Sequence, residues 1–530
     1  MSQKLDNAPL RPLSLLRLVF DQARVTPEVL EFRYTGSGTQ ENPYIVSFLP
    51  HDVGNPYNWP TRLKWLITII AGGGTLATTF ASTAFTGSLL ELKSNLGTST
   101  ELITAGVSLF VLGFALGPLI WAPLSELYGR QIIFIMTFGM FTAFAAGCAG
   151  ANNPSTLLVL RFFAGSFGSS TLTNSGGVIA DIFPPSSRGP ALGFFVLMPS
   201  IGPTLGPMCG GFLGEHQGWR WVSGLIAIFA GVMWIFGSLF VPETYSSVIL
   251  RKRVAKLSQM TGMVYALKSD IEICRPSVKS ILATSLTRPW VILIQEPIVL
   301  LLSLYMAIIY GTLYLLFGAF PIVYQVNRNW SEGLAGLPFL GGVIGLLSAL
   351  AFSFWTNKQY NKIAKQHGDI APPETRLLPA MYTAIAIPIG LFWFAWTNQP
   401  SVHWASSVAA SIPFGFGLLV VFLSVVSYLV DSYLMFAASA LAANTVLRSL
   451  FGAAFPLFTP DMYQALGIHW ASSIPAFLSL ACVPFPFIFY KYGAWIRQRC
   501  VYAAQAEAAM TQHRDVAVPD MEVMESPREP

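Results

Sequence analysis

Runs of about 20 mostly apolar residues recur along this chain, and that is the length a helix needs to cross the hydrocarbon core of a bilayer. Twelve are counted, near 66 to 90, 102 to 124, 131 to 150, 156 to 180, 190 to 214 and 221 to 241, then 297 to 321, 334 to 355, 377 to 397, 405 to 428, 434 to 458 and 470 to 490. Six lie on each side of a long polar stretch. Soluble domains are excluded by composition, since 53% of the 530 residues are hydrophobic, 11% are charged and the mean hydropathy is +0.55. The expected fold is an all-α membrane protein with twelve transmembrane helices in two six-helix bundles. Its parts are a cytosolic tail (1–63), a first bundle (64–241), a cytosolic central loop (242–295), a second bundle (296–490) and a cytosolic C-terminal tail (491–530).

Lysine and arginine are retained on the cytosolic side of such proteins, which orients the chain. With both ends inside, 26 of the 31 basic residues fall in cytosolic segments, only Lys93, Arg220 and Arg328 fall outside, and Arg161 and Arg448 are intramembrane. The short loop with Lys358, Lys362, Lys365 and Arg376 points the same way. The net charge of +5 therefore reflects topology and implies no nucleic-acid partner. Asn329-Trp330-Ser331 is a glycosylation sequon on the outer side between spans seven and eight. Cys148, Cys209 and Cys482 fall within spans, and Cys274 and Cys500 in cytosolic segments, at spacings that suggest neither disulfides nor a metal site. The polar N-terminal tail lacks a cleavable signal and carries one amphipathic patch, Leu13 to Phe20, flanked by Arg11 and Arg24, which is expected to touch the inner leaflet. Trp59 and Lys64 would anchor the first span at the interface.

Polar residues inside the spans carry the functional signal. Arg161 lies a few residues inside span four, where a charge costs roughly 2.5 to 3.5 kcal/mol and so faces a cavity or a partner rather than lipid. Span five holds Gly202-Pro203-Thr204-Leu205-Gly206-Pro207-Met208-Cys209-Gly210-Gly211, whose glycines at every fourth position line one face bare of side chains. Such a face lets a neighbouring backbone approach closely, and the two prolines remove hydrogen bonds and favour a bend. Span one carries Thr75, Thr78, Thr79, Ser82, Thr83 and Thr86, hydroxyls that either bond to the preceding turn or line a pore. Between spans two and three, Glu126 and Arg130 are four apart, and in a tight turn the arginine could hold a second acid, with Asp181 at the cytosolic end of span four as the candidate. Span six stops at Val241-Pro242-Glu243-Thr244. The central loop, with Arg251-Lys252-Arg253, Lys268, Asp270 and Glu272, reads as a solvated linker that returns to the membrane surface at Arg288-Pro289-Trp290. On span seven Tyr310, Tyr314, Phe317 and Tyr324 share one face, either a packing stripe or the wall of a cavity, and span eleven ends its small-residue face in Asn444 and Arg448.

Absent patterns narrow the chemistry. No Gly-Lys-Ser/Thr phosphate loop and no His-Glu-x-x-His occur. Ala164-Gly165-Ser166-Phe167-Gly168 resembles a nucleophile elbow, but its first position is alanine and it lies within a membrane helix. No enzyme, cofactor or metal is expected. Neither the seven spans of a receptor nor the midplane His or Asp cluster of a membrane-embedded enzyme is found.

Gly-x-x-x-Gly-Pro-x-x-Gly-Gly in span five resembles the antiporter motif of exporters of the major facilitator superfamily, and Arg161-Phe162-Phe163-Ala164-Gly165 resembles the arginine motif of their fourth helix. With the loop pattern Ala122 to Gln131 and the 6+6 arrangement, the chain from about Asp52 to Tyr492 resembles the fungal twelve-span drug:proton antiporters of that superfamily. Trp219-Arg220-Trp221, Pro242-Glu243-Thr244, Glu296-Pro297, Tyr428 to Tyr433 and Arg448 to Leu457 add to the likeness. The loop pattern departs at Ala122, where glycine is usual, at Glu126, where aspartate is, and at Gln131, where a base is common. The resemblance implies two bundles rocking about a midplane site, Arg161 and Asp181 in proton coupling, and Glu126, Arg130 and Asp181 as a cytosolic latch. It implies an exporter of drugs, toxins or fungal metabolites by proton antiport, acting as a monomer in the plasma membrane, with a vacuolar or vesicular membrane as the alternative. An importer or facilitator of the same fold is the rival within transport.

Two arginines and no acid lie in mid-span, so an anionic or neutral substrate is expected, with Tyr310, Tyr314, Phe317, Asn444 and Arg448 contacting it and Arg161 serving coupling. The alternative is that each arginine only ties helices together through backbone carbonyls. Asp181 and Glu296, reached through water, are the nearest proton carriers.

Overall fold

The computed structural model describes residues 14–184, 187–268, 270, 277–366 and 371–506. Among them, nine helical stretches are long and apolar enough to cross a membrane. The last, Trp404–Arg497, has 94 residues and holds three crossings. They are Ser411–Tyr433, a helix from Ala437 to a break at Gly467, and its continuation to Arg497. At the break Gly467 has φ 72° and ψ 166°, a conformation that only glycine adopts at no steric cost. Span four is not among the nine because it is two shorter helices, Pro154–Gly168 and Ser170–Ile182, meeting at Ser169. All twelve expected crossings are helical.

Local chemistry starts and stops these helices where the sequence places it. The Ser99 side chain accepts from the N–H of Leu102 at the head of Thr100–Tyr128, and Asn153 caps Pro154–Gly168 with proline at the first helical position. Spans two and three turn on a single residue, Gly129, at φ 108°. Burial then sorts the spans: within Thr61–Ser88 and Pro297–Val326 78% of the apolar window is buried, against 33% in Arg130–Ala149 and 28% in Trp219–Phe240. Spans one and seven are interior, and spans three and six present Met136, Ile228 and Ile235 outward, as lipid-facing helices do.

By its contacts the chain divides into two units. The first runs through Thr284 and takes in Asn329–Leu337; the second is Ser285–Arg328 with the chain from Pro338 onward. In the first, span one packs on span five, two on four and three on six. The second repeats this pattern six spans later, with seven on eleven and eight on ten. Ionic groups of the first unit gather at its opposite ends. Glu91 accepts from the Trp219 N–H (2.8 Å) and Arg220 donates to the Ala151 carbonyl (3.3 Å) at one end, while Arg130, Asp181 and Glu243 meet at the other.

The segments before span one and after span six depart from expectation. Instead of a leaflet-touching tail and a solvated linker, they fold on each other. The helix Ser246–Thr261 buries Val248, Ile249, Arg253 and Leu257, and Tyr44–Ile45 pairs in parallel with Tyr265–Ala266. Ala23, Val25, Val29, Tyr34 and Val46 of the tail share a small core with Leu257 and Leu267. The reason is compositional: both segments carry apolar residues at alternating or helical spacing among their charges, enough to bury a joint face that neither covers alone. In Leu15–Phe20, Leu18 and Val19 face the protein, while Leu16 and Phe20 are exposed. Glu272 and Cys274 lie outside the described residues.

Candidate functional site

The residues expected of the latch meet at the start of span three. The first amide groups of a helix have no carbonyl partner within it, and the helix dipole makes that end attract an anion. Here the anion is Glu243: its carboxylate accepts from the N–H of Arg130 (2.9 Å) and of Gln131 (3.2 Å), and also from Thr244 (3.0 Å) and Tyr245 (2.9 Å). With its backbone so held, Arg130 donates through Nε to Asp181 (3.3 Å) and lies 5.0 Å over the Tyr245 ring, while Thr244 Oγ1 donates to the same Asp181 oxygen (3.2 Å). Glu126 stands 3.9 Å from Arg130 with half its side chain exposed, a geometry worth little. The three residues expected of the latch are thus brought together, but the acid that organises the turn, Glu243, is not among them: the sequence marks it as a helix stop and as part of a family-like stretch. It lies 113 residues from Arg130, and the available signal was an acid directly after the helix-ending Pro242. Asp181 sits just past the apolar run, and burial pushes its carboxyl up to about 6 against the pull of Arg130 and Thr244.

Arg161 is buried and fully engaged. Its guanidinium donates to the carbonyls of Ala81 (2.8 Å), Ser82 (3.1 Å) and Gly106 (3.3 Å), between the rings of Phe85 (4.8 Å) and Phe110 (4.6 Å). Ala81 and Ser82 end the α-helical part of span one, which tightens into a 3₁₀ turn over Ala84–Ser88. A cation at that negative helix end satisfies carbonyls that the turn leaves open, so the arginine ties spans one, two and four together. The span-one hydroxyls do the same on a smaller scale. Thr75, Thr78 and Thr79 each donate to the carbonyl four residues back, and Thr75 and Thr78 also reach Thr171 of span four.

The glycine face of span five packs on span one. A methyl group built on Gly202, Gly206 or Gly210 would overlap Thr79, Thr83 or the Ala84 carbonyl, and one on Gly211 would strike the Glu332 carbonyl. Pro207 has no N–H to offer the carbonyl of Pro203, and Thr83 Oγ1 donates to that carbonyl instead (2.8 Å). The bend and the close contact therefore stabilise each other.

In the second unit Arg448 is buried against Tyr310 (4.7 Å to the ring) and Phe422 (5.1 Å), and its Nε finds no hydrogen-bond partner among the described residues. Tyr314 stacks on Tyr310 at 5.0 Å, and Asn444, one turn before Arg448, donates to Ser303 Oγ (3.3 Å). Phe317 meets Tyr314 edge-on (5.4 Å) and continues to Phe339 (5.0 Å), and Tyr324 donates to Ser407 (2.8 Å). The ionic contacts of this unit lie at one end: Arg376 with Asp431 (2.7 Å), Arg497 with Glu374 (2.9 Å), and Glu296, which accepts from the Tyr433 hydroxyl (2.9 Å) and the Tyr502 N–H (2.8 Å). Asn329 is exposed at φ 54°, in a loop. Cys148, Cys209, Cys482 and Cys500 are free thiols, and no metal-holding cluster is found among the described residues.

A helical membrane fold of paired bundles with a bare glycine–proline helix and a charged cytosolic turn defines a class of secondary transporters. The family model of the Major Facilitator Superfamily matches residues 71–456, and the chain belongs to that family. Among its relatives, the MFS-type efflux pump MFS2 of Trichophyton rubrum is 59% identical over 494 residues, covering 93% of this chain and 83% of that one. The major facilitator superfamily multidrug transporter mdrA of Aspergillus fumigatus is 54% identical over 530 residues, covering 99% and 87%. Among solved structures, the xylose transporter XylE from E. coli, in a partially occluded inward-open conformation, aligns with a TM-score of 0.58 at 16% identity over 81% of this chain and 99% of its own. A likeness at that identity speaks for the fold alone.

Proposed function

We propose that this protein is a secondary transporter that exports small organic compounds, anionic or neutral, from a fungal cell in exchange for protons. The direction of transport is supported by relatives named efflux pump and multidrug transporter that cover nearly the whole chain. The observation that carries the substrate chemistry is Arg448, a buried cation over the Tyr310 ring with an unpartnered Nε. A substrate carboxylate would supply the missing acceptor, with the Tyr310 ring beside it. A dication such as a polyamine would meet like charge there. Asp181 serves proton coupling, a reading supported by the burial that pushes its carboxyl up to about 6 beside Arg130. Arg161 acts in coupling through span one, whose end it holds. The protein works as a monomer in the plasma membrane with both termini in the cytosol.

The test is export of a carboxylate-bearing and of a cationic compound from cells carrying Arg448→Ala or Arg448→Lys. Charge-assisted hydrogen bonds contribute about 1.5–3 kcal/mol, so Arg448→Ala is expected to slow carboxylate export by about ten- to a hundredfold, with partial recovery in Arg448→Lys. Robust cation export by the parent, with carboxylates ignored, overturns the assignment.

A further inference from the structure

We propose that Arg24, in the N-terminal segment, is a positioning residue for the latch: it holds the turn that presents the Glu243 carboxylate to the head of span three. Arg24 is fully buried, and its guanidinium joins three parts of the chain. It donates to the Glu243 carbonyl (2.6 Å), to the Gly54 carbonyl (2.8 Å) and to the Leu18 carbonyl (3.3 Å), and lies 5.1 Å over the Trp59 ring. Its own backbone is held at φ 48°, a left-handed conformation that a side chain as large as arginine adopts only where its surroundings impose it.

Those surroundings form a second buried ion pair. Arg253, fully buried on the helix Ser246–Thr261, pairs with Asp52 through Nη1 (2.5 Å) and donates to the backbone carbonyls of Ala23 and Arg24 (3.3 Å each). The segment also reaches span three directly, since Gln131 Nε2 donates to the Val19 carbonyl (3.2 Å) and Gln22 bonds Gln131. Removing one partner from a buried ionic set leaves the rest uncompensated, so these contacts act together rather than as separate links. The line of force runs from Asp52 and Arg253 to Arg24, from Arg24 to the carbonyl of Glu243, and from the Glu243 carboxylate to the amides of Arg130 and Gln131. Arg130 then meets Asp181. The N-terminal segment thereby becomes part of the transport machinery, a clamp on the cytosolic turn that must open and close.

Hydrogen exchange in the purified full-length protein reads the clamp without reference to any substrate. With Arg24→Gln, exchange of the Arg130 and Gln131 amides is expected to speed up tenfold or more. The Trp219 amide, held by Glu91 at the far end of the same unit, supplies the control and is expected to exchange as in the parent. Unchanged exchange at 130–131, or an equal rise at Trp219, overturns the proposal. If Arg24→Gln yields no folded protein, Gln131→Met decides: a rise at Arg130 confined to that turn supports the clamp, and parental exchange refutes it. Export of fluorescein per surface transporter supplies the functional arm, with turnover expected to fall about tenfold at unchanged KM in Arg24→Gln. This arm rests on the export reading. A parent that moves no fluorescein counts against that reading, while the exchange result stands by itself.

Discussion

At Asp181 burial and pairing act against each other. Arg130 and Thr244 both donate to its carboxylate, yet desolvation outweighs them and the pKa rises to about 6. An acid raised in this way costs the fold stability when ionised. The folded state therefore gains as pH falls through about 6, while the ionic part of the Arg130 contact is lost over the same range. Protonation thus removes the ionic part of that contact without unfolding the chain, as the proposed proton-coupling role requires. Asp181→Asn is expected to flatten the pH dependence of export between about pH 5 and 7, and Arg130→Ala to abolish transport at normal surface amounts. Retention of the parental pH profile by the first and of full activity by the second would reduce the pair to surface charges. Arg161 shows the other use of a buried cation, spending its donors on three backbone carbonyls.

Among elements, span five joins two effects. Its prolines open carbonyls, and its glycines bring the Thr83 hydroxyl close enough to fill one of them. A branched side chain at Gly206 would press on Thr83 and the backbone of Ala84, so Gly206→Leu is expected to separate spans one and five and to leave export at least about tenfold slower or leaky. Unchanged export rates would mean that this contact opens freely. The close packing was legible because glycine at every fourth position has one geometric meaning on a helix. The break of span four at Ser169 was not, since small and polar residues predominate from Gly168 to Gly177 and nothing singles out one of them as the joint. Glu243 and Arg24 were hidden for a different reason. Their partners are more than a hundred residues away, and hydrophobic periodicity reports only which face of a segment is buried, never against what. Tyr310 and Arg448 were readable as interior polar residues, and the shared face of Tyr310, Tyr314 and Phe317 forms one run of ring contacts.

At the scale of the molecule, topology is the property most open to direct measurement. Cysteines introduced singly at Lys93 and Arg328 are expected to react with an impermeant reagent in intact cells, and one at Lys362 to stay unlabelled; labelling of all three, or the reverse pattern, would refute the twelve-span map. The clamp of the N-terminal segment adds a condition of its own. Arg24 is synthesised 219 residues before Glu243 and 229 before Arg253, which at about 5–20 residues per second is a wait of roughly 10–50 s. When the later residues emerge they can meet the tail only if an even number of helices has crossed in between. A nascent chain that skips one crossing would deliver the two halves of the clamp to opposite faces of the bilayer, where Asp52 and Arg253 could not pair. Closure of this joint is therefore a parity check on insertion, completed before the second six spans are made.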